Sequence, residues 1–181
     1  MLHKETVAPA TLELIKSLQS EKIFKDFHLV GGTALSLQIG HRISVDIDLF
    51  SQNEFETGFY LEYLERKYDF KLQYEYENTL KGFINGIFID ILRHNHPYIH
   101  EPINEENIRL LSKADIAAMK VNAIAGNGTR LKDFIDIYFL AKEFTIGEII
   151  GFYSEKYGKR NEFHALKSLT YFKDIVIDGE I

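Results

Sequence analysis

The sequence has no cysteine and no tryptophan, and only three of its 181 residues are proline. Without cysteine, disulfides, cysteine-ligated zinc sites and thiol nucleophiles are all excluded. The prolines, at positions 9, 97 and 102, do not form a hinge, and no low-complexity linker or internal repeat divides the chain. This length without a linker predicts one continuous domain rather than two independent ones.

An excess of positive charge is also missing, because 27 acidic residues outnumber 21 Lys and Arg and give a formal net charge of −6. This balance disfavours proteins that capture nucleic acid through a broad basic face. A nucleotide site stays open, since bound magnesium reverses the local charge. Of the seven histidines only His94, His96 and His100 lie near one another, so a histidine metal cage is not expected.

Long apolar runs are absent as well. No segment approaches the roughly 20 consecutive apolar residues that span a bilayer. The first 24 residues carry charges throughout and lack the apolar centre of a signal peptide. We therefore expect a cytoplasmic protein that does not contact membranes.

The sequence does contain short segments whose patterns alternate between strand and helix. Residues 27–30 are apolar and end at a Gly-Gly pair, which predicts a buried strand, and residues 33–39 then predict a short helix. Residues 44–50 alternate in polarity, which predicts a strand with Val45 on its apolar face and Asp46 and Asp48 on the other. Residues 54–67 predict a helix and residues 70–76 another strand.

The clearest local signal is a hairpin around Asn85-Gly86. Asn-Gly favours a type I′ turn because both residues accept positive φ. A two-residue turn pairs Ile84 with Ile87 and, counting outward, Lys81 with Asp90. Asp90 then points away from the apolar face of its strand.

The remaining sequence is predominantly helical. Apolar spacing predicts helices over residues 113–125 and 130–143, a third after Thr145 and a fourth over residues 161–172. Together the elements predict an α/β (α+β) fold, with helices flanking a mixed sheet and a helical bundle behind it. We expect a core over residues 1–110 and a helical portion over residues 111–181, packed as one continuous globular unit.

Asp46 and Asp48 are the first candidate site residues. Two positions apart on a strand, they project from one face with their bases about 6–7 Å apart. Two such carboxylates repel each other unless cations lie between them, and a pair of Mg²⁺ ions is a common solution. Asp90, off the apolar face of a neighbouring strand, would supply a third carboxylate. Because Mg²⁺ completes its shell with water and phosphate, this pattern predicts a phosphate-bearing substrate.

Gly31, Gly32 and Thr33 form the candidate phosphate site. Two glycines between a strand and a helix allow the backbone to approach a ligand closely, and the helix N-terminus favours anions. The Thr33 hydroxyl is positioned to cap the helix or to donate to phosphate.

These motifs resemble a known family. The segments GGTAL at residues 31–35 and RxSxDIDLF at residues 42–50 are similar to the opening of the nucleotidyltransferase-like AbiEii/AbiGii toxin family. Its later signature resembles Lys120, RLKDFID at residues 130–136 and LTYFKD at residues 169–174. The resemblance covers roughly residues 25–175. It implies a polymerase-β-like nucleotidyltransferase fold followed by helices.

The resemblance also implies an activity: magnesium-dependent transfer of a nucleotide from a nucleoside triphosphate to an acceptor hydroxyl, in a toxin–antitoxin or phage-defence setting. The acceptor would be an RNA such as tRNA, a protein or a small molecule, and a cognate antitoxin encoded nearby would be a further partner. Asp46, Asp48 and Asp90 would hold two Mg²⁺ ions, and Asp90 would accept the acceptor's proton.

The resemblance further implies that Lys120 and Arg130 neutralise phosphate charge. Asp133 and Asp136 would orient Lys120 or contact the base or ribose. Arg42 and Ser44 are weaker candidates for phosphate contacts.

Simpler interpretations remain open at this stage. Asp46 and Asp48 are consistent with the solvent face of an amphipathic strand, and Asp90 with a cross-strand ion pair to Lys81. Lys120 fits a lysine that lays its stem over the core, and Asp136 fits a surface pair with Lys132. The functional alternatives are a non-catalytic module that binds nucleotide or protein, and a small-molecule nucleotidyltransferase of the antibiotic-modifying type.

Overall fold

A computed structural model describes residues 1–177 of the chain. Within that range seven strands form one mixed sheet, in the order β3-β4-β5-β2-β1-β7-β6. The strands are β1 (His28–Val30), β2 (Ile47–Ser51), β3 (Lys71–Tyr76), β4 (Thr79–Ile84), β5 (Ile87–Arg93), β6 (Ile103–Glu105) and β7 (Ile108–Leu110).

The described residues also form seven α-helices. They are α1 (Pro9–Ser20), α2 (Gly31–Ile39), α3 (Thr57–Tyr68), α4 (Lys113–Gly126), α5 (Leu131–Leu140), α6 (Ile146–Tyr157) and α7 (Glu162–Ser168). The described residues also include three short 3₁₀ segments, Lys4–Thr6, Lys22–Phe24 and Lys159–Asn161. The predicted mixed α/β class is therefore confirmed. Across residues 1–177 no helix combines the length and apolar character that crossing a membrane requires.

The chain divides into two compact units. The first contains residues 1–96 and 103–110, which include the whole sheet, and the second contains residues 97–102 and the described residues from 111 to 177. The predicted division also falls between residues 110 and 111, but it assigns residues 97–102 to the first part. The predicted helical portion extends to residue 181, and its last four residues, 178–181, lie outside the described range.

A buried ion pair explains why residues 97–102 belong to the second unit. Asp115 on α4 and Lys156 on α6 lie 2.8 Å apart, and neither side chain is exposed. Lys156 also donates to the carbonyl of Pro97 at 2.7 Å, and the amide of Ile99 donates to Asp115 at 2.9 Å. Burial opposes ionisation of Asp115, but the hydrogen bonds from Lys156 and Ser112 outweigh it and lower its pKa.

The predicted hairpin is confirmed in its turn and its register. Asn85 and Gly86 have φ values of 51° and 79°. The pairs Ile84–Ile87 and Lys81–Asp90 form as predicted. On the apolar face a Cβ at Gly82 would lie 2.6 Å from the ring of Phe70, so this position requires glycine for close packing.

The strand predicted over residues 44–50 begins later than expected. β2 starts at Ile47, and Val45, predicted to be on the apolar face, is 56% exposed. Ser44 is held outside the sheet, where its amide donates to the carbonyl of Thr6 at 2.9 Å. Thr33 donates to the carbonyl of Asp46 at 2.5 Å, which fixes the chain just before the strand.

Candidate active site

Sheet register brings two of the three predicted aspartates together. β2 and β5 run parallel as direct neighbours, and Asp48 and Asp90 are register partners. Neighbouring strands lie about 4.8 Å apart and paired residues share a face, so the two carboxylates project from the same side of the sheet. This face is opposite the one that packs Leu80, Ile89 and Ile91 into the core.

Asp90 combines an ion pair with an unsatisfied oxygen. Its Oδ2 lies 2.7 Å from Lys81 Nζ. The cross-strand ion pair that the sequence left open as a simpler interpretation is therefore present. Its Oδ1 is buried and has no hydrogen-bond partner among the described residues. Burial raises the pKa of Asp90, and Lys81 only partly opposes this effect. Leaving such an oxygen unpaired costs about 1–3 kcal/mol, so a cation or donor would fit there.

Asp48 lies against the N-terminus of α2, and Gly31 makes that approach possible. Gly31 has φ +69°, and a Cβ on it would lie 2.0 Å from Asp48 Oδ2. Any larger residue would therefore be strained in its backbone and would displace the carboxylate. The positive end of a helix favours a negative group at this position.

Next to this contact lies a cluster formed by the predicted phosphate-binding residues. A Cβ at Gly32 would lie 2.3 Å from Arg42 Nη2, so the guanidinium packs on the glycine backbone. The Thr33 hydroxyl lies 2.8 Å from Ser44 Oγ and donates to the carbonyl of Asp46. Thr33 and Ser44 are buried, so their hydroxyl groups stabilise the loop within the chain.

Asp46 differs from the other two aspartates. It precedes β2 and is half-buried, and its backbone carbonyl is held by Thr33. In the part of the chain that the structure describes, no group of three or more His, Asp or Glu residues is arranged to hold a metal ion. Asp48 and Asp90 fit a divalent cation by donor type and by the unsatisfied Oδ1, whereas the complete triad remains a prediction.

In the second unit, three charged residues of the later family signature form a buried cluster. Lys120 on α4 lies 2.6 Å from Asp133 and 2.7 Å from Asp136, both on α5. The side chains are 9%, 2% and 0% exposed, so Lys120 does not extend to solvent and Asp136 does not form a surface pair with Lys132. Asp133 Oδ2 has no hydrogen bond within the described residues, and the largely exposed Arg130 lies 3.9 Å from it.

Sequence comparison identifies the family. The model of the family described as "Nucleotidyl transferase AbiEii toxin, Type IV TA system" matches residues 14–85 and 82–179. An uncharacterized protein of Aquifex aeolicus (strain VF5) is 31% identical over 168 residues, which cover 90% of this chain and 81% of the relative.

Solved structures show the same fold at low sequence identity. The antibiotic-resistance factor ANT(2″)-Ia superposes with a TM-score of 0.64 at 14% identity, covering 87% of this chain and 94% of that one. MenT4, a nucleotidyltransferase toxin of Mycobacterium tuberculosis H37Rv, superposes with a TM-score of 0.53 at 15% identity, covering 80% and 61%. Because the family match spans most of the sequence and the fold agrees, this chain belongs to the AbiEii nucleotidyl transferase toxin family of type IV toxin–antitoxin systems.

Proposed function

We propose that this protein transfers a nucleotide from a nucleoside triphosphate to an acceptor hydroxyl in a Mg²⁺-dependent reaction. The observation that supports this most directly is the pairing of Asp48 with Asp90 on adjacent strands, next to the helix N-terminus behind Gly31. The Oδ1 of Asp90 is buried and accepts no hydrogen bond from the described residues, so a cation bound there would satisfy it.

Asp48 and Asp90, with Asp46 as the third carboxylate, would hold the Mg²⁺ ions. When bound, these ions neutralise the triphosphate and lower the pKa of the acceptor hydroxyl. The amides at the start of α2 bind the phosphates, since a helix N-terminus favours anions. Arg42, packed against Gly32, adds a positive charge beside them.

The reaction itself is an in-line substitution at the α-phosphorus. The acceptor oxygen forms a bond to that phosphorus, the bond to the bridging oxygen of the β-phosphate breaks, and pyrophosphate leaves. We assign Asp90 as the group that accepts the acceptor's proton.

We propose an RNA acceptor, such as tRNA, and a toxin whose activity a neighbouring antitoxin controls. Membership of a toxin family supports this setting. A small-molecule acceptor is the second candidate, because the chain covers 94% of an antibiotic-resistance factor of the same fold. The roles of Lys120, Arg130, Asp133 and Asp136 as phosphate or nucleotide contacts remain predictions from the family signature.

The direct test is a transfer assay. We would incubate the protein with labelled nucleoside triphosphates and Mg²⁺, first with total cellular RNA and then with a metabolite extract. Label in RNA supports the toxin proposal, and label only in small molecules supports the second candidate. Absence of transfer to either acceptor, together with absence of metal-dependent nucleotide binding, would favour the non-catalytic module.

Paired variants make the assay specific. Asp48→Asn and Asp90→Asn should each abolish transfer while far-UV circular dichroism stays unchanged. Asp69→Asn is the matched control, because the Asp69 side chain is 81% exposed and forms a surface ion pair with Lys71. Turnover that persists in both site variants would contradict the proposed function.

A further inference from the structure

The face of the sheet that carries Asp48 and Asp90 continues to the edge strand as a surface of aromatic rings and lysines. Register assigns Lys81 as the partner of Asp90, and Tyr74 as the partner of Lys81. One row of side chains therefore runs across four strands from Asp48 to Tyr74. At about 4.8 Å per strand, this row is about 14 Å long.

The neighbouring row has the same character. Phe88 on β5 pairs with Phe83 on β4, which in turn pairs with Lys71 on β3. The rings of Phe83 and Phe88 lie 5.4 Å apart in an edge-to-face arrangement. On the other side of the first row, Tyr76 pairs with Thr79. We call the residues Lys71, Tyr74, Tyr76, Phe83 and Phe88 the aromatic surface.

The aromatic surface lies on a solvent-exposed face of the sheet, where side chains are usually polar. Tyr74 is 50% exposed, Tyr76 is 66% exposed and Phe83 is 37% exposed. Contiguous exposed apolar groups on a folded protein generally mark a binding site. A β-bulge between Leu72 and Tyr74 and the charged side chains of β3 oppose strand-to-strand pairing with a second copy.

We propose that the aromatic surface binds the single-stranded end of a nucleic-acid acceptor and directs its terminal hydroxyl to Asp90. This inference rests on the proposed nucleotidyl transfer, whose acceptor it specifies. Bases stack on exposed aromatic rings of a sheet regardless of sequence, while lysines bind the backbone phosphates. The surface is continuous with the candidate site, since Lys81 contacts Asp90 directly.

Charge on this face also favours a nucleic acid over a basic protein segment. In the described strands β2 to β5, register places no carboxylate on this face other than Asp48 and Asp90. Lys71 pairs with Asp69 at 2.5 Å, but both side chains are largely exposed. Such a surface pair contributes little, so a phosphate replaces Asp69 at small cost.

The test measures binding without nucleotide or metal. A fluorescein-labelled single-stranded oligoribonucleotide of mixed sequence is titrated with the full chain and followed by anisotropy. Tyr74→Ala and the Tyr74→Ala/Phe83→Ala double variant should weaken binding about tenfold or more, because each lost base–ring stack accounts for that much. Tyr74→Phe should retain wild-type affinity, whereas Tyr74→Leu should behave as Tyr74→Ala does.

The matched control is Phe59→Ala on α3, which removes an aromatic ring that is 53% exposed elsewhere in the same unit. It should leave oligonucleotide affinity unchanged. Tyr74→Ala should remain folded, because the half-exposed ring contributes little to the core. Urea unfolding of this variant verifies that the fold persists. Lys71→Gln should reduce the dependence of affinity on salt by about one phosphate contact.

Equal affinity of wild type, Tyr74→Ala and the double variant would overturn the inference. The inference would also be overturned if the wild-type protein did not bind the oligonucleotide but formed a dimer that Tyr74→Ala disrupts. If Tyr74→Ala retains both transfer and oligonucleotide affinity, the proposed function would be supported and the role of the aromatic surface would be contradicted. Weakened oligonucleotide affinity with no transfer by the wild-type protein would support the surface and contradict the proposed function.

Discussion

At the scale of single residues, Gly31 is the position where backbone conformation and site geometry depend on each other. Its φ of +69° would strain the backbone of any other residue, and a Cβ on it would lie 2.0 Å from Asp48 Oδ2. We expect Gly31→Ala to displace the Asp48 carboxylate and to destabilise the fold by about 1–2 kcal/mol. Metal-dependent nucleotide binding should be lost in a protein that still folds, as measured by calorimetry and urea unfolding.

Gly151→Ala provides the control for this substitution. Gly151 lies within α6, and a Cβ there would meet no atom of the described residues within 4 Å. Alanine in a helix interior is expected to stabilise by about 0.5–1 kcal/mol relative to glycine. Unchanged nucleotide binding in Gly31→Ala would show that Asp48 does not depend on this close approach.

Lys120 tests the buried charge cluster of the second unit. Its removal leaves Asp133 and Asp136, which are 2% and 0% exposed, without their shared cation. Breaking a buried ion pair from one side typically costs about 3–5 kcal/mol. We therefore expect Lys120→Met to lower the free energy of unfolding by that amount in urea titration.

Lys132→Met on α5 is the comparison for this experiment and should change stability by less than about 0.5 kcal/mol. The triple variant Lys120→Met/Asp133→Asn/Asp136→Asn should recover part of the lost stability, because it removes the uncompensated charges. A fully stable Lys120→Met protein would contradict the assignment of this cluster as a buried network.

At the scale of elements, local signals determined how much could be predicted. The β4–β5 hairpin was predictable because Asn85-Gly86 defines both turn and register, and register alone positions Asp90 beside Lys81. The neighbouring position of Asp48 and Asp90 depends on the parallel pairing of β2 with β5, which no local pattern shows. The late start of β2 also depends on contacts between residues that are distant in sequence, because hydrogen bonds with Thr6 and Thr33 hold Ser44 and Asp46.

The strands β6 and β7 were not predicted at all. Each has three residues, and their turn uses Glu106 and Asn107 at positive φ instead of the glycine that usually signals such a hairpin. The fourth helix of the second unit, predicted over residues 161–172, ends at Ser168. The aromatic surface was also missed, because its rings come from three strands and gather only through the sheet register.

The buried pair of Asp115 and Lys156 makes a prediction for the element that it anchors. The amides of Ile99 and His100 both donate to Asp115. Asp115→Ala should therefore accelerate hydrogen exchange at these two amides far more than at β4 and β5. Asp174→Ala, at an exposed position, is the control, and unchanged protection at Ile99 would contradict the proposed anchoring.

At the scale of the whole molecule, the lowered pKa of His28 predicts how the free energy of unfolding depends on pH. Burial, followed by the nearby Arg109, lowers the pKa of His28 to about 4 from its usual 6.5. Above pH 6.5 the histidine is neutral in both folded and unfolded chains. As pH falls from 6.5 toward 4 the unfolded chain binds the proton first, so stability decreases by about 1–3 kcal/mol.

Urea unfolding between pH 7 and pH 4 measures this effect. His28→Gln should reduce the decrease in stability, whereas replacement of the exposed His100 with glutamine should not. An identical pH profile for wild type and His28→Gln would show that another group is responsible.

The proposed function depends on the carboxylates of Asp48 and Asp90 acting as one cation site beside the start of α2. The most direct measurement is Mn²⁺ binding, followed by electron paramagnetic resonance with and without a nucleoside triphosphate. We expect wild type and Asp69→Asn to bind Mn²⁺ more tightly when nucleotide is present, and Asp48→Asn and Asp90→Asn to lose at least about tenfold in affinity. Equal Mn²⁺ affinity in all four proteins would contradict the account.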